Sequence, residues 1–165
     1  MREFSKISPR LWGSPTFRKL PDDARQLFLY YLTCSHQNSG GCFSLPDGYA
    51  ITDLSWALEQ YQASRALLID AALIRFDAET SEILVAKWFR HNPPMNPSHR
   101  KSVIGAIERI ASTNLQGHAQ QELERAELDA KTRQESSAAR VATRHDVLLK
   151  SRHPRQAARI IEPSR

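Results

Sequence analysis

Aromatic residues stop at Phe89. Trp12, Trp56, Trp88 and all the Phe and Tyr lie at or before that point, and residues 90–165 contain none. A chain that no longer supplies large apolar side chains no longer builds a core. The folded domain is therefore expected over residues 1–92. Cysteine is almost as scarce. Cys34 and Cys42, with seven residues between them, are neither a disulfide framework nor a CxxC pair, and with His36 they fall short of the ligand spacing a structural zinc needs. Two thiols in a reducing cytosol are the expectation, with no metal and no cofactor. Long apolar runs are also missing, and Arg2, Glu3, Lys6 and Arg10 interrupt the N-terminus. Neither a bilayer span nor a signal peptide is expected, which implies a cytoplasmic protein with no membrane partner.

The motifs of catalysis are missing too. The stretch "NSGGC" lacks the Lys-Ser/Thr of a phosphate loop, and neither HExxH nor a nucleophile elbow occurs. Asp22-Asp23 reads as helix-start electrostatics rather than paired acids, and His91 and His99 as loop histidines beside prolines. No catalytic residue is assigned, and the chain reads as a non-enzyme.

What is present is charge at one end. Residues 129–165 hold nine Lys or Arg against four Asp or Glu, a net of +5, which is the net charge of the whole chain. Residues 1–128 hold fourteen of each sign. A basic tail serves polyanions or simply solubility. Arg140, Arg144, Lys150, Arg152, Arg155 and Arg159 are its candidate contacts, and its composition from 135 to 165 fits disorder.

The chain before it changes rhythm in an ordered way. An irregular lead-in over residues 1–20 precedes Pro21-Asp22-Asp23, which suits a helix start, and Ala24, Leu27, Phe28 and Tyr31 repeat at helical spacing to about Thr33. "HQNSGGC" is a loop and "CFSLP" a short strand. A short helix from Asp47 or Gly48 follows, and then a longer one over 57–73 with Tyr61, Leu68 and Ala72 on its core side. Ile74 and Phe76 alternate with polar residues, "DAETSE" turns, and a second strand runs over 83–89. The prolines at 93, 94 and 97 make residues 93–98 a connector, and residues 99–134 form a helical extension with a thin apolar stripe that Gly117 interrupts. The fold expected is mostly α with a small β-hairpin: a winged helix-turn-helix followed by C-terminal helices and a disordered basic tail.

In a helix-turn-helix the second helix enters the major groove. Its outward residues here, Glu59, Gln60, Gln62, Ala63, Ser64 and Arg65, are the base-contact candidates, since Gln pairs with adenine and Arg with guanine. Phosphate contacts would come from Lys6, Arg10, Arg18, Lys19, Arg75, Lys87, Arg90, Arg100 and Lys101. Asp77, Glu79 and Glu82 on the wing would repel a phosphate backbone rather than grip it. Double-stranded DNA is the partner this reading implies. A transcriptional regulator, dimeric through the C-terminal helices, and a protein-interaction adaptor remain open beside it.

Trp12, the "LYYLTC" helix end, "GCFSLPDGYA" and the "WFRHNPP" exit from the wing carry a resemblance over residues 4 to about 110. The chain resembles the N-terminal winged-helix domain of phage and prophage replication proteins, the replisome-organiser or DnaD-like initiators. That resemblance implies DNA binding in replication initiation, with helicase or helicase loader as partners. Two departures are local: relatives tend to carry Gly where this chain has Ala72, and Arg65 stands where an apolar residue is expected. A third is at the end, where only some fifty mostly polar residues follow the domain.

Overall fold

The computed structural model describes residues 5–151, with residues 138–151 given by their backbone alone. Two Ser-Pro pairs order the lead-in that the sequence predicts to be irregular. Ser8 caps a 3-10 turn over Pro9–Gly13, and Ser14 caps the short helix α1 over Pro15–Arg18, each serine side chain accepting from a backbone N–H. Serine at the cap followed by proline at the first helical position is a start signal in its own right.

Helix α2, Asp22–Thr33, buries the stripe expected of it: Ala24, Leu27, Phe28 and Tyr31. Strand β1 is Cys42–Ser44, α3 spans Asp47–Leu54, and α4 spans Leu58–Asp70. Ser55, in the left-handed conformation, makes the turn between α3 and α4. Strands β2, Ile74–Asp77, and β3, Glu82–Val85, close a three-stranded antiparallel sheet in the order β1-β3-β2. Helix–strand–helix–helix–hairpin is the element order expected from the sequence.

Strand β3 is shorter than the expected 83–89. Lys87 takes a left-handed conformation (φ 59°) that ends extended structure, and Trp88–His91 then form a short helix, α5. After the prolines, α6 spans Pro97–Glu108, its start capped by the Asn96 side chain, and α7 spans Thr113–Ser151. Gly117 lies inside α7 rather than interrupting it, and α7 continues past Glu135, where the sequence predicts the helical extension to end. The Ala, Glu, Gln, Arg and Leu that dominate this stretch are strong helix formers.

All four residues of β3 are buried, so both faces of the sheet are covered. Phe43, Ile83 and Phe76, paired in register, share one face with the Tyr31 side of α2, whose ring lies 6.4 Å from that of Phe43. The other face is roofed by α6 and the first turns of α7. One buried cluster runs from Phe17 through Leu84 and Trp88 to Val103, Ile107, Leu115, Ala119 and Leu123. Residues 99–126 thus belong to the first compact unit, Met1–Ala126, rather than to an appendage beyond residue 92. The second unit is Glu127–Arg165; within it, residues 128–137 of α7 are exposed. Among the described residues no helix is long and apolar enough to cross a membrane.

The roof is tied down by carboxylates. Glu82, 6 % exposed, accepts from the Ala111 and Ser112 backbone N–H groups at 2.9 and 2.8 Å, and Asp77 accepts from the Ser112 hydroxyl at 2.5 Å. Both acids therefore meet the positive end of α7. The Ser112 hydrogen bond holds the Asp77 carboxyl below the usual range. In the opposite direction, Glu122 of α7 accepts from the backbone N–H groups of Lys87 and Trp88 at the start of α5. Two of the three wing acids are committed to anchoring a helix, which corrects the view of them as a charge facing outward.

Ala72 ends α4 in the left-handed region (φ 52°), where glycine is favoured. Its N–H bonds Ile69 O and the next N–H, of Leu73, bonds Leu68 O, a pattern that normally closes on glycine. Ala72→Gly is expected to stabilise the protein by about 0.5–1 kcal/mol, because relief of the strained backbone exceeds the added freedom of the unfolded chain. A urea melt reads this as a higher midpoint at unchanged slope. An unchanged or lowered midpoint would show that the alanine sits there without strain.

Candidate nucleic-acid interface

The base-contact candidates on α4 divide into two groups. Glu59, Gln62 and Ala63 are exposed and Gln60 is half-buried. Ser64 and Arg65 are 4 % and 8 % exposed, which removes them from any outward reading set. The helix turns them in because Tyr61, Ser64, Arg65 and Leu68 fall on its buried side, at spacings of three and four. Arg65 lies over the Phe76 ring, 3.8 Å from guanidinium carbon to centroid, and donates to Asp47 at 2.5 Å. Burial alone would lower its pKa; the Asp47 carboxylate and neighbouring Tyr61 raise it, so the charge is kept and spent inside.

The two glutamines are also engaged. Gln60 donates to Asp23 at 2.9 Å and Gln62 to Asp47 at 3.2 Å. Residues 22–70, which contain the whole helix-turn-helix, carry six carboxylates against Arg25 and Arg65, a net of −4. Arg25 pairs with Asp22 and Arg65 with Asp47. What α4 shows to water is Glu59, Gln62 and Asp70 among Leu58, Ala63, Ala66, Leu67 and Ile69. Leu58, Leu67 and Ile69 are each about 40 % exposed. This side repels phosphate.

Cations collect elsewhere. Residues 5–21 hold Lys6, Arg10, Arg18 and Lys19 and no acid, and all four side chains are exposed. Lys87 and Arg90 are exposed at the β3–α5 junction. Arg10 from the 3-10 turn, Lys87 and Arg90 all act on His91: partial burial and then these three charges hold its pKa below the usual histidine value. Arg10 is the weakest of the three, so the 3-10 turn lies within electrostatic range of α5, about eighty residues on in sequence. Arg75 is exposed on β2, and Arg100 and Lys101 are exposed on α6. Of the tail candidates, Arg140, Arg144 and Lys150 fall on the backbone of α7, and Arg152, Arg155 and Arg159 lie outside the described residues.

The sequence alone showed nothing that would join Arg10 to His91, since only the path of the lead-in over the domain does so. The exposed Trp12 in that same turn was named for its resemblance and not as a contact. The thiols offer no competing chemistry. Burial pushes Cys42 up to about 12, with Glu82 adding to it, and burial likewise raises Cys34. His36 meets the Tyr49 ring at 4.8 Å, tilted by 57°. Among the described residues no three His, Cys, Asp or Glu side chains are grouped to hold a metal ion. No protein-family model, curated protein or solved structure matches the chain.

Proposed function

We propose that this chain is a DNA-binding winged-helix protein that grips the phosphate backbone with its N-terminal turn and the β3–α5 junction, and that it acts in replication initiation. The observation that carries the first part is the exposure of Lys6, Arg10, Arg18 and Lys19 on an acid-free lead-in and of Lys87 and Arg90 at the β3–α5 junction, whereas residues 22–70 carry a net of −4. Replication rests on the resemblance of residues 4 to about 110 to phage initiators. Backbone contacts of this kind set affinity and register without reading sequence.

The test is nucleic-acid affinity of the full chain by fluorescence anisotropy across a salt series. Arg10→Ala with Arg90→Ala should weaken binding about tenfold or more and reduce the magnitude of the salt slope by about 2, since each lost phosphate contact removes roughly 0.9. Binding should also tighten as pH falls through the His91 range, because a bound phosphate favours the imidazolium that Arg10, Lys87 and Arg90 disfavour in the free protein. Affinity and slope left unchanged in the double variant would remove the patch from the mechanism.

One observation favours a second reading. The outward side of α4 is apolar with an acidic rim, which suits a protein partner better than DNA. A chain that binds no nucleic acid even at low salt leaves the interaction adaptor standing.

A further inference from the structure

Trp12 is 59 % exposed, the most exposed aromatic ring among the described residues. It is not loosely held. The 3-10 turn that carries it is capped by Ser8, followed at once by the capping Ser14, and the indole meets the buried Phe17 ring edge to face at 5.5 Å. An edge-to-face contact on one side fixes the indole while leaving ring surface open. Arg10 is in the same five-residue turn, and the segment around it has four cations and no acid.

Part of the indole covers Phe17, but most of its surface is left to water. Beside a phosphate-attracting surface the open ring has one evident use: a face on which an unpaired base can stack. Bases in a duplex are already stacked on each other and offer no free face. The helix-turn-helix, which would have to enter a duplex groove, carries −4 and has turned Arg65 inward.

We propose that the N-terminal turn is a single-stranded nucleic-acid site, in which Trp12 stacks on an unpaired base while Arg10 and its neighbours Lys6, Arg18 and Lys19 hold the flanking phosphates. The proposal rests on the phosphate-binding reading above and specifies its substrate.

Anisotropy on the full chain with a labelled mixed-sequence 20-mer, single-stranded and then annealed to its complement, tests it. The single strand should bind about tenfold tighter than the duplex. Trp12→Ala should lower single-strand affinity about tenfold and leave duplex affinity unchanged, and Trp12→Phe should restore most of the loss. Wild-type thermal unfolding of both variants confirms that Phe17 is still covered. If Trp12→Ala weakens both forms equally, or neither, or if the duplex is preferred, the stacking site is overturned while phosphate binding survives. If neither form binds at low salt, the phosphate-binding reading falls as well. An RNA 20-mer bound as tightly as DNA would support the site, since stacking does not depend on the sugar.

Discussion

Gly41→Ala is expected to cost about 3–5 kcal/mol, roughly 1–2 for forcing a side chain into a left-handed backbone and 2–3 for displacing a packed ring. Gly41 has φ +72°, and a Cβ there would lie 2.2 Å from Trp88 Cγ and 2.7 Å from Trp88 Cβ. The indole has little room to retreat. It is 4 % exposed, and its Nε1 donates to Ser39 O at 3.0 Å. The Gly41 carbonyl also accepts from Val85, which joins β1 to β3. Thermal unfolding should show a fall in Tm of about 10 °C or more. Gly40→Ala is the control: its Cβ would meet the Ala106 methyl at 3.1 Å, a contact a small shift can relieve, so its cost should stay near 1 kcal/mol. Equal behaviour of the two variants would mean that Trp88 moves freely, and the account of the sheet's roof would have to be rebuilt.

Arg65→Ala should destabilise by about 3 kcal/mol. The substitution leaves Asp47, whose side chain is 27 % exposed, without its partner and opens a hole beside the Phe76 and Tyr61 rings. Arg65→Lys keeps the charge but loses the planar fork and the stacking, and should cost about half as much. A double-mutant cycle with Asp47→Ala should return a coupling of about 1–3 kcal/mol in denaturant melts. The folded fraction of Arg65→Ala should bind nucleic acid as tightly as the wild type, because the guanidinium is not on the surface. Selective loss of affinity without loss of stability would put Arg65 back among the contacts.

The helix stripe of α2 could be read residue by residue, since four buried positions at steps of three and four leave one solution. The hairpin could be read from alternation and its turn residues. Three things could not be read the same way. Ser-Pro at 8–9 and 14–15 is a helix-start signal, but it is overshadowed by the prolines themselves, which usually mark breaks. The inward turn of Ser64 and Arg65 violates the rule that polar residues face out, and for Arg65 it is Asp47 and Phe76, distant in sequence, that compensate the burial. The roof over the sheet is hidden because aromatics end at Phe89, while Val103 and Ile107 of α6, Ile110 after it and Leu123 of α7 suffice for two helices that each need only one covered side. A signal for it existed: "ILV" in β3 is apolar on both alternating faces, and a strand of that kind demands two layers.

For the interface, residue types were legible and their grouping was not. The phosphate-contact candidates lie at exposed positions, but charge along a sequence does not reveal that a turn at residue 10 comes within electrostatic range of residue 91.

The pairing of Glu82 with the start of α7, and of Glu122 with the start of α5, sets a timetable during synthesis. The wing leaves the ribosome well before the helix that covers it. Glu82 must wait for Ser112, thirty residues later, which at ordinary elongation rates is about 2–6 s. Throughout that interval the nascent chain displays a greasy strand with no lid, a window in which chaperones or a neighbouring nascent copy can engage it.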